Sequence, residues 1–174
     1  MCGGDILAQD CSDRFGALAV LSPLSETSPR SPAGQQGFSG SIVFFNDADH
    51  DCQLATHLRF SPSESLAGEQ GCRLFVNIHE FGDLSTPHVC SGHSVGAIAL
   101  WPESSLADRP VSARHVPVTR QLEQPLYLHV GHDRHGNNGI IGRRVTVCCA
   151  SAEDGQMAST AVLAEGIVGY NSNL

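Results

Sequence analysis

Apolar and polar residues alternate in short runs along most of the chain, and turn-forming residues separate the runs. The clearest run extends from Cys72 to His79. Leu74, Val76 and Ile78 would occupy one face of a strand there, with more polar residues on the other face. No segment shows the spacing and capping residues of an amphipathic helix. The pattern therefore predicts an all-β protein.

The other predicted strands are also short and are bounded by Gly, Pro, Asn or Ser. They are residues 15–21, 38–46, 54–60, 125–130, 143–149 and 160–169. Residues 84–124 have weaker patterning and read as a long irregular loop region, with short strands expected near 97–100 and 111–116. Short strands separated by turn residues are typical of an antiparallel sandwich or barrel.

The length of 174 residues predicts a single domain with a core large enough to form without disulfides. Residues 1–14 are polar and are expected to form a loose N-terminal segment, and 15–174 to form one β domain. Within it, residues 22–37 are rich in Ser, Pro and Gly and are expected to form a surface loop.

Charge and composition exclude several classes of partner. The net charge of -8 argues against nucleic acids and against anionic membrane surfaces. The chain has no apolar run of about 18 residues. Its N-terminus has no basic segment before an apolar one, so we expect no signal peptide. The odd number of cysteines, seven, predicts reduced intracellular thiols rather than a disulfide framework.

Two groups of histidines have spacings that would suit a metal, since imidazole and thiolate bind Zn or Cu. One comprises His79, His88, Cys90 and His93. The other comprises His129, His132 and His135, next to a Gly/Asn turn, where a solvated polar loop is the simpler interpretation. The first group is the more informative because of the residues that follow His79.

Two other motifs are weak. Residues 92–96 match the G-x-S-x-G pattern of serine hydrolases. That pattern requires a buried strand before it and a helix after it, and neither is predicted here. Residues 139–143 contain two glycines but lack the Lys-Ser/Thr pair of a phosphate-binding loop, so they read as a turn into a strand.

The segment His79-Glu-Phe-Gly-Asp-Leu-Ser85 resembles the Cu/Zn superoxide dismutase family, whose copper-binding strand reads H-x-H-E-F-G-D. Further resemblances follow in the family's order: the R-H-V of the zinc loop (114–116), the I-I-G-R strand (140–143, then 145–147) and the closing A-C-G-V-I-G (164–169). The resemblance covers roughly residues 38–169. It implies an eight-stranded Greek-key sandwich or barrel.

The resemblance also implies that the copper site is incomplete. The first histidine of the H-x-H pair is replaced by Asn77, and His79 remains. The third copper ligand of the family falls on Cys148, and a carboxylate that links the two metals falls near Ala152. Asn77 is a poor copper ligand, and a thiolate at position 148 would favour Cu(I) and oppose the redox cycle.

The zinc site and the anion-attracting positions are altered as well. The bridging histidine is matched by His93 and one zinc histidine by His115, but the zinc aspartate falls on Val118. The arginine that attracts superoxide falls on Val162. The cysteine of A-C-G is Glu165, so Cys90 lacks the disulfide partner that the family would supply. The candidate metal ligands are therefore His79, His93, His115 and Cys148.

These losses predict a catalytically inactive dismutase-like protein without a cofactor that acts through protein interactions. The family's dimer surface is expected in the Gly-Asp turn and the closing strand, which places a homodimer interface at Gly82, Asp83, Gly166, Ile167, Val168 and Gly169. A host superoxide dismutase or its copper chaperone is a second expected partner. The alternatives are a non-catalytic Cu(I) or Zn module and residual dismutase activity.

The pattern of loss resembles degenerate dismutases carried by poxviruses. That resemblance implies a location in the host cytoplasm or in the virion, and not secretion.

Overall fold

The computed structural model describes residues 16–24, 37–47, 53–63, 72–85, 94–100, 117–132, 137–151 and 160–171. These residues form nine β-strands and contain no helix, which confirms the all-β prediction for the described part of the chain. No helix capable of crossing a membrane occurs in it.

The strands follow one another in the order of the chain, separated by turns or by residues outside the described ranges. They are β1 (Gly16–Pro23), β2 (Gly40–Phe45), β3 (Leu54–Pro62), β4 (Cys72–His79), β5 (Ser94–Ala99), β6 (Val118–Val130), β7 (Gly139–Ile141), β8 (Arg144–Ser151) and β9 (Thr160–Tyr170).

All nine strands belong to one curled sheet with the shape of a half-barrel. Its strand order is β5-β4-β8-β9-β1-β2-β3-β6-β7. Neighbouring strands are antiparallel except β6 and β7, which are parallel, so the sheet is mixed. Strand β9 pairs with β8 on one side and β1 on the other, and thus joins the two halves of the sheet.

The concave side of the sheet holds one apolar core. It receives side chains from both halves, including Ile42, Phe44 and Leu58 from one and Val76 and Val147 from the other, all fully buried. Because apolar burial contributes about 25 cal/mol per Å², this shared core is the main reason for the sheet to curl on itself.

Strand β4 has the boundaries and the buried face that the sequence pattern predicts. The strand spans Cys72–His79, as expected, and Leu74, Val76 and Ile78 are buried in the core. Asn77 and His79 lie on the opposite face and are partly exposed. The chemistry of the candidate site therefore lies outside the core.

The described residues form nine strands, whereas the resemblance implies eight. The predicted strand 143–149 corresponds to β8, and β7 lies in residues 139–143, which were expected to form a turn. Gly142 has a φ of 81°, in the left-handed region that favours glycine, and it separates β7 from β8. The two pieces pair with different neighbours: β7 runs parallel to β6, whereas β8 lies between β4 and β9.

The region expected to be irregular, 84–124, contains more strand than predicted. Strand β5 covers 94–99, slightly earlier than the strand expected near 97–100. Strand β6 begins at Val118, so seven of its residues precede the strand predicted from Pro125. Its exposed positions include Gln121, Glu123 and Gln124, and this polarity hid the strand. The strand expected at 111–116 lies outside the described residues.

The turn after β4 approaches the β7–β8 connection closely at Gly82. A Cβ atom at this position would lie 1.8 Å from the backbone oxygen of Gly142. Neither the turn nor the connection could then keep its present position. At Gly96 in β5, by contrast, a Cβ would meet nothing within 4 Å.

We therefore expect Gly82→Ala to lower the free energy of unfolding by about 3 kcal/mol, since the clash is with backbone rather than with a flexible side chain. The matched control Gly96→Ala should change it by less than about 0.5 kcal/mol. Urea denaturation of the two variants measures both values. Equal effects would contradict the close approach at Gly82.

Candidate functional site

Two of the candidate metal ligands, His79 and Cys148, belong to a small polar cluster across two neighbouring strands. Asn77 and His79 lie two residues apart on β4, and Thr146 and Cys148 lie two residues apart on β8. The strands are antiparallel, and Asn77 is directly opposite Thr146. Because residues i and i+2 share a face, all four side chains lie on the face opposite the core.

Hydrogen bonds connect the four side chains to one another. Asn77 Nδ2 donates to the Sγ of Cys148 at 3.4 Å. The ring Nε2 of His79 is 2.9 Å from Thr146 Oγ1, and that hydroxyl is 3.5 Å from the sulfur of Cys148. The groups that stand in the copper-ligand positions are thus linked through Thr146.

Burial controls the chemistry of Cys148. The residue is 3% exposed and Thr146 is fully buried, although neither faces the core. Burial raises the pKa of the Cys148 thiol above its ordinary value of 9.0, and the hydrogen bonds from Thr146 and Asn77 lower it by less. The thiol is therefore protonated near neutral pH, whereas metal binding and nucleophilic attack both use the thiolate.

The single hydroxyl proton of Thr146 restricts the network to two arrangements. If it is donated to His79, then the hydroxyl oxygen accepts the proton of Cys148; if it is donated to Cys148, then His79 donates its Nε2 proton to the hydroxyl. In both arrangements each contact of the cluster joins a donor to an acceptor supplied by β4 or β8.

These residues do not fit a copper or zinc site. Among the four, only His79 and Cys148 carry donor atoms that such metals prefer, and Cys148 is held as a thiol. No group of three or more His, Cys, Asp or Glu residues within the described ranges could hold a metal ion. His93 and His115, the other two candidate ligands, lie outside the described residues.

The remaining altered family positions have ordinary structural roles. Val118 is the first residue of β6 and is 6% exposed, so it is a buried apolar residue. Val162 is half-buried on β9 opposite Cys148. Glu165, also on β9, forms an ion pair with the buried Arg144. The carboxylate of Glu165 thus has a charged partner.

The histidines of the second group, at 129, 132 and 135, do not form a site within the described residues. His129 is half-buried and its ring centroid is 5.8 Å from that of Tyr127. His132 is exposed, and its backbone forms an isolated bridge with Asn138. His135 lies outside the described residues, as do His88 and Cys90 of the first group.

The G-x-S-x-G match does not form a nucleophile elbow. Ser94 is the first residue of β5, and its hydroxyl donates a hydrogen bond to the backbone oxygen of Gly96 at 3.1 Å. The nucleophile of an elbow lies between a strand and a helix, whereas Ser94 begins an edge strand.

The predicted interface residues differ in their accessibility. Gly82 and Asp83 are exposed, and Asp83 Oδ1 accepts hydrogen bonds from the backbone N–H (2.7 Å) and the hydroxyl (2.6 Å) of Ser85. On β9, Ile167 and Gly169 are half-buried on the outer face. Gly166 and Val168 are buried, so their side of β9 faces inward.

Four of the five exposed large apolar residues in the described ranges lie on the turn after β4, on β9 or on its neighbour β1: Val20, Phe81, Leu84 and Tyr170, which are 66%, 55%, 44% and 60% exposed. We call them the apolar surface. Two sets of backbone contacts link its parts: Phe81 accepts from the N–H of Arg144, and β1 pairs with the end of β9.

The sequence interpretation missed three residues of this region. Thr146 was overlooked because it is not a metal ligand, although its spacing from Cys148 places it on the same face. Arg143 and Arg144 are 6% and 2% exposed, and both bind the turn after β4. Adjacent arginines at the start of a strand would ordinarily be read as a solvated end.

One of the vicinal cysteines is oxidised. Cys149, which faces the core, is disulfide-bonded, whereas Cys148 is a free thiol. The prediction that all cysteines are reduced is therefore wrong for Cys149. The odd number of cysteines shows only that at least one thiol has no disulfide partner within the chain. It does not show whether the other cysteines are paired.

Comparison of the chain with known protein families, with curated proteins and with solved structures gave no match.

The raised pKa of Cys148 predicts a loss of stability at alkaline pH. Above pH 9 the thiol ionises in the unfolded chain but not in the folded one, so the unfolded state gains stability. The free energy of unfolding should fall by up to about 1.4 kcal/mol per pH unit until the folded thiol also ionises. Below pH 9 this contribution is constant.

Cys148→Ser keeps the size and hydrogen bonding of the side chain but does not titrate in this range. The difference in urea midpoint between wild type and Cys148→Ser should be constant from pH 6 to 8 and should shrink or reverse from pH 9 to 10.5. A constant difference throughout would show that the Cys148 thiol ionises equally in both states.

Proposed function

We propose that this protein is a catalytically inactive relative of the Cu/Zn superoxide dismutases that acts as an interaction protein and self-associates through its apolar surface. The observation that carries the proposal is the hydrogen-bonded cluster at the copper positions. There the side chains of Asn77, Thr146 and Cys148 satisfy one another, whereas a working site would direct imidazoles at a metal.

The chemistry of dismutation supports the loss of activity. Copper must alternate between two oxidation states, which requires several imidazole ligands and an open position. The cluster offers one imidazole, from His79, and a protonated thiol. The family's anion-attracting arginine falls on Val162, and an overall charge of -8 opposes the approach of an anion.

The strand order supports the family's Greek-key topology. Strands β1, β2 and β3 are consecutive neighbours, and the last strand, β9, returns to lie beside β1. Pairing of the first strand with a strand distant in the chain is a feature of Greek-key folds. The chain also leaves β3 for β4 and β5 in the other half of the sheet and returns to β3 as β6, so two long crossovers connect the halves.

The apolar surface supports self-association. Val20, Phe81, Leu84 and Tyr170 are all large, and each exposes more than two fifths of its surface to water. Exposed apolar patches rimmed by polar residues mark association sites more often than they mark free surface. A second copy of the chain offers the same patch about a two-fold axis, which is the commonest form of homodimer.

The alternative of a metal-binding module has less support. It needs His93, His115 or Cys90 to join His79, and those residues lie outside the described ranges. Cys148, the fourth candidate, would have to lose a proton that burial retains and to release its bonds to Asn77 and Thr146.

The loss of activity is tested by a superoxide assay on protein refolded with excess copper and zinc and then freed of unbound metal. We expect no rate above that of a buffer control containing the same amount of free copper. The double variant Asn77→His/Cys148→His restores two imidazoles and serves as the comparison. A clear rate from the wild type alone would overturn the proposal.

Self-association is tested by light scattering coupled to size exclusion. We expect a dimer whose dissociation constant rises at least tenfold in Phe81→Arg and in Tyr170→Arg, because each places a charge in a desolvated contact. Gln124→Arg on β6 adds the same charge at an exposed site outside the apolar surface and should leave the dimer unchanged.

A wild type that stays monomeric at every concentration would contradict self-association. If the monomer instead bound an immobilised superoxide dismutase or copper chaperone, and Phe81→Arg abolished that binding, the apolar surface would be a docking site for those proteins. That result would replace self-association by binding to a host superoxide dismutase or its copper chaperone, the second partner that the resemblance implies.

A further inference from the structure

We propose that the buried ion pair between Arg144 and Glu165 is a clamp that fixes the turn after β4 to the last strand, and so holds the two parts of the apolar surface in register. The clamp itself is a claim about the fold of this chain. Its consequence for association rests on the proposed function.

Arg144 connects three elements at once. Its backbone N–H donates to the oxygen of Phe81 at 3.1 Å, and its Nη1 donates to the oxygen of Asp83 at 3.3 Å. Its Nη2 forms the ion pair with Glu165 on β9. One residue of β8 therefore binds both ends of the exposed turn and a carboxylate on the strand that carries Tyr170.

Burial makes this pairing strong. Arg144 is 2% exposed and the side chain of Glu165 is 16% exposed, so little water competes for either charge. Removing one partner of a buried pair leaves an uncompensated charge, which is strongly unfavourable. The guanidinium would then move toward water, and its bond to Asp83 would be lost with it.

The neighbouring arginine provides an internal comparison. Arg143 is also buried, but it is satisfied by neutral acceptors: the backbone oxygens of Gly139 (2.5 Å) and Glu80 (2.7 Å) and the side-chain oxygen of Asn138 (3.3 Å). It needs no carboxylate. Loss of Glu165 should therefore release the turn from Phe81 to Asp83 while its start at Glu80 stays bound.

The substitution of cysteine by glutamate then has a structural meaning. Where the resemblance places a disulfide between the last strand and the loop after the turn, this chain has a carboxylate paired with Arg144. The contact between the turn after β4 and β9 thus depends on an ion pair and not on a disulfide at position 165.

Amide hydrogen exchange measured by NMR on the full chain tests the clamp. In Glu165→Gln the amide of Arg144, which is bound to Phe81, should exchange at least tenfold faster than in the wild type. The amide of Gly142, bound to the oxygen of Val168 at 2.8 Å, should be unchanged. Glu123→Gln removes an exposed carboxylate from β6 and is the matched control.

A second variant separates the clamp from overall stability. Arg144→Met/Glu165→Leu replaces the pair by apolar side chains, an exchange that buried ion pairs often tolerate without loss of stability. It should fold with a melting temperature near that of the wild type. The backbone amides of the turn after β4 should exchange faster than in the wild type, and the dimer should be at least tenfold weaker. Unchanged exchange in both variants would overturn the clamp.

The two measurements fail independently. A wild type that is monomeric, together with faster exchange at Arg144 in Glu165→Gln, would remove the self-association proposal and leave the clamp in place. A dimer whose affinity and exchange are both indifferent to Glu165 would leave self-association in place and remove the clamp.

Discussion

The burial of two adjacent arginines at the start of β8 constrains the structure around them. Burial of a guanidinium is costly unless its donors find acceptors, and Arg143 and Arg144 find most of theirs in the turn after β4, in the β6–β7 region and on β9. Those contacts bring the turn against Gly142: Gly82 has no room for a Cβ atom, and Gly142 has a positive φ that favours glycine. The break between β7 and β8 and the position of the exposed turn thus have a common origin.

The polar cluster on the outer face of β4 and β8 also provides partners for buried polar atoms, those of the uncharged residues Thr146 and Cys148. Thr146 and Cys148 are as well buried as core residues but carry polar atoms, and each is satisfied by its neighbours in the cluster. In a metalloprotein, by contrast, part of the folding free energy comes from ligand–metal bonds. In this cluster the hydrogen bonds of Asn77, Thr146 and Cys148 come from side chains of β4 and β8.

The sequence predicts the parts of the fold in which one face of a strand is apolar. Strand β4 was predicted to the residue because Leu74, Val76 and Ile78 alternate with polar positions. Strand β6 was only half predicted, because the polar residues before Pro125 obscure its inward positions Val118 and Leu122. An alternating sequence pattern reveals a strand when one face of the strand is buried, and most positions of β6 are exposed or partly exposed.

Metal-ligand motifs could identify Asn77, His79 and Cys148, because the family resemblance is local in sequence. They could not identify Thr146 or the ion pair of Glu165 with Arg144, which arise from contacts between strands distant in the chain. The register of β8 between β4 and β9 brings these residues together. Such a register is a property of the whole sheet, set by its core and its turns.

The apolar core and the polar cluster depend on opposite faces of the same strands. In β4 and β8, the residues that enter the core, such as Val76 and Val147, alternate with Asn77 and Cys148. Substitutions at Asn77 and Cys148 therefore leave the apolar core unchanged, provided that the new side chains satisfy one another. The turn at Gly82 has no such freedom, because its backbone packs directly against Gly142. Packing therefore restricts substitution at Gly82 more strongly than at Asn77 or Cys148.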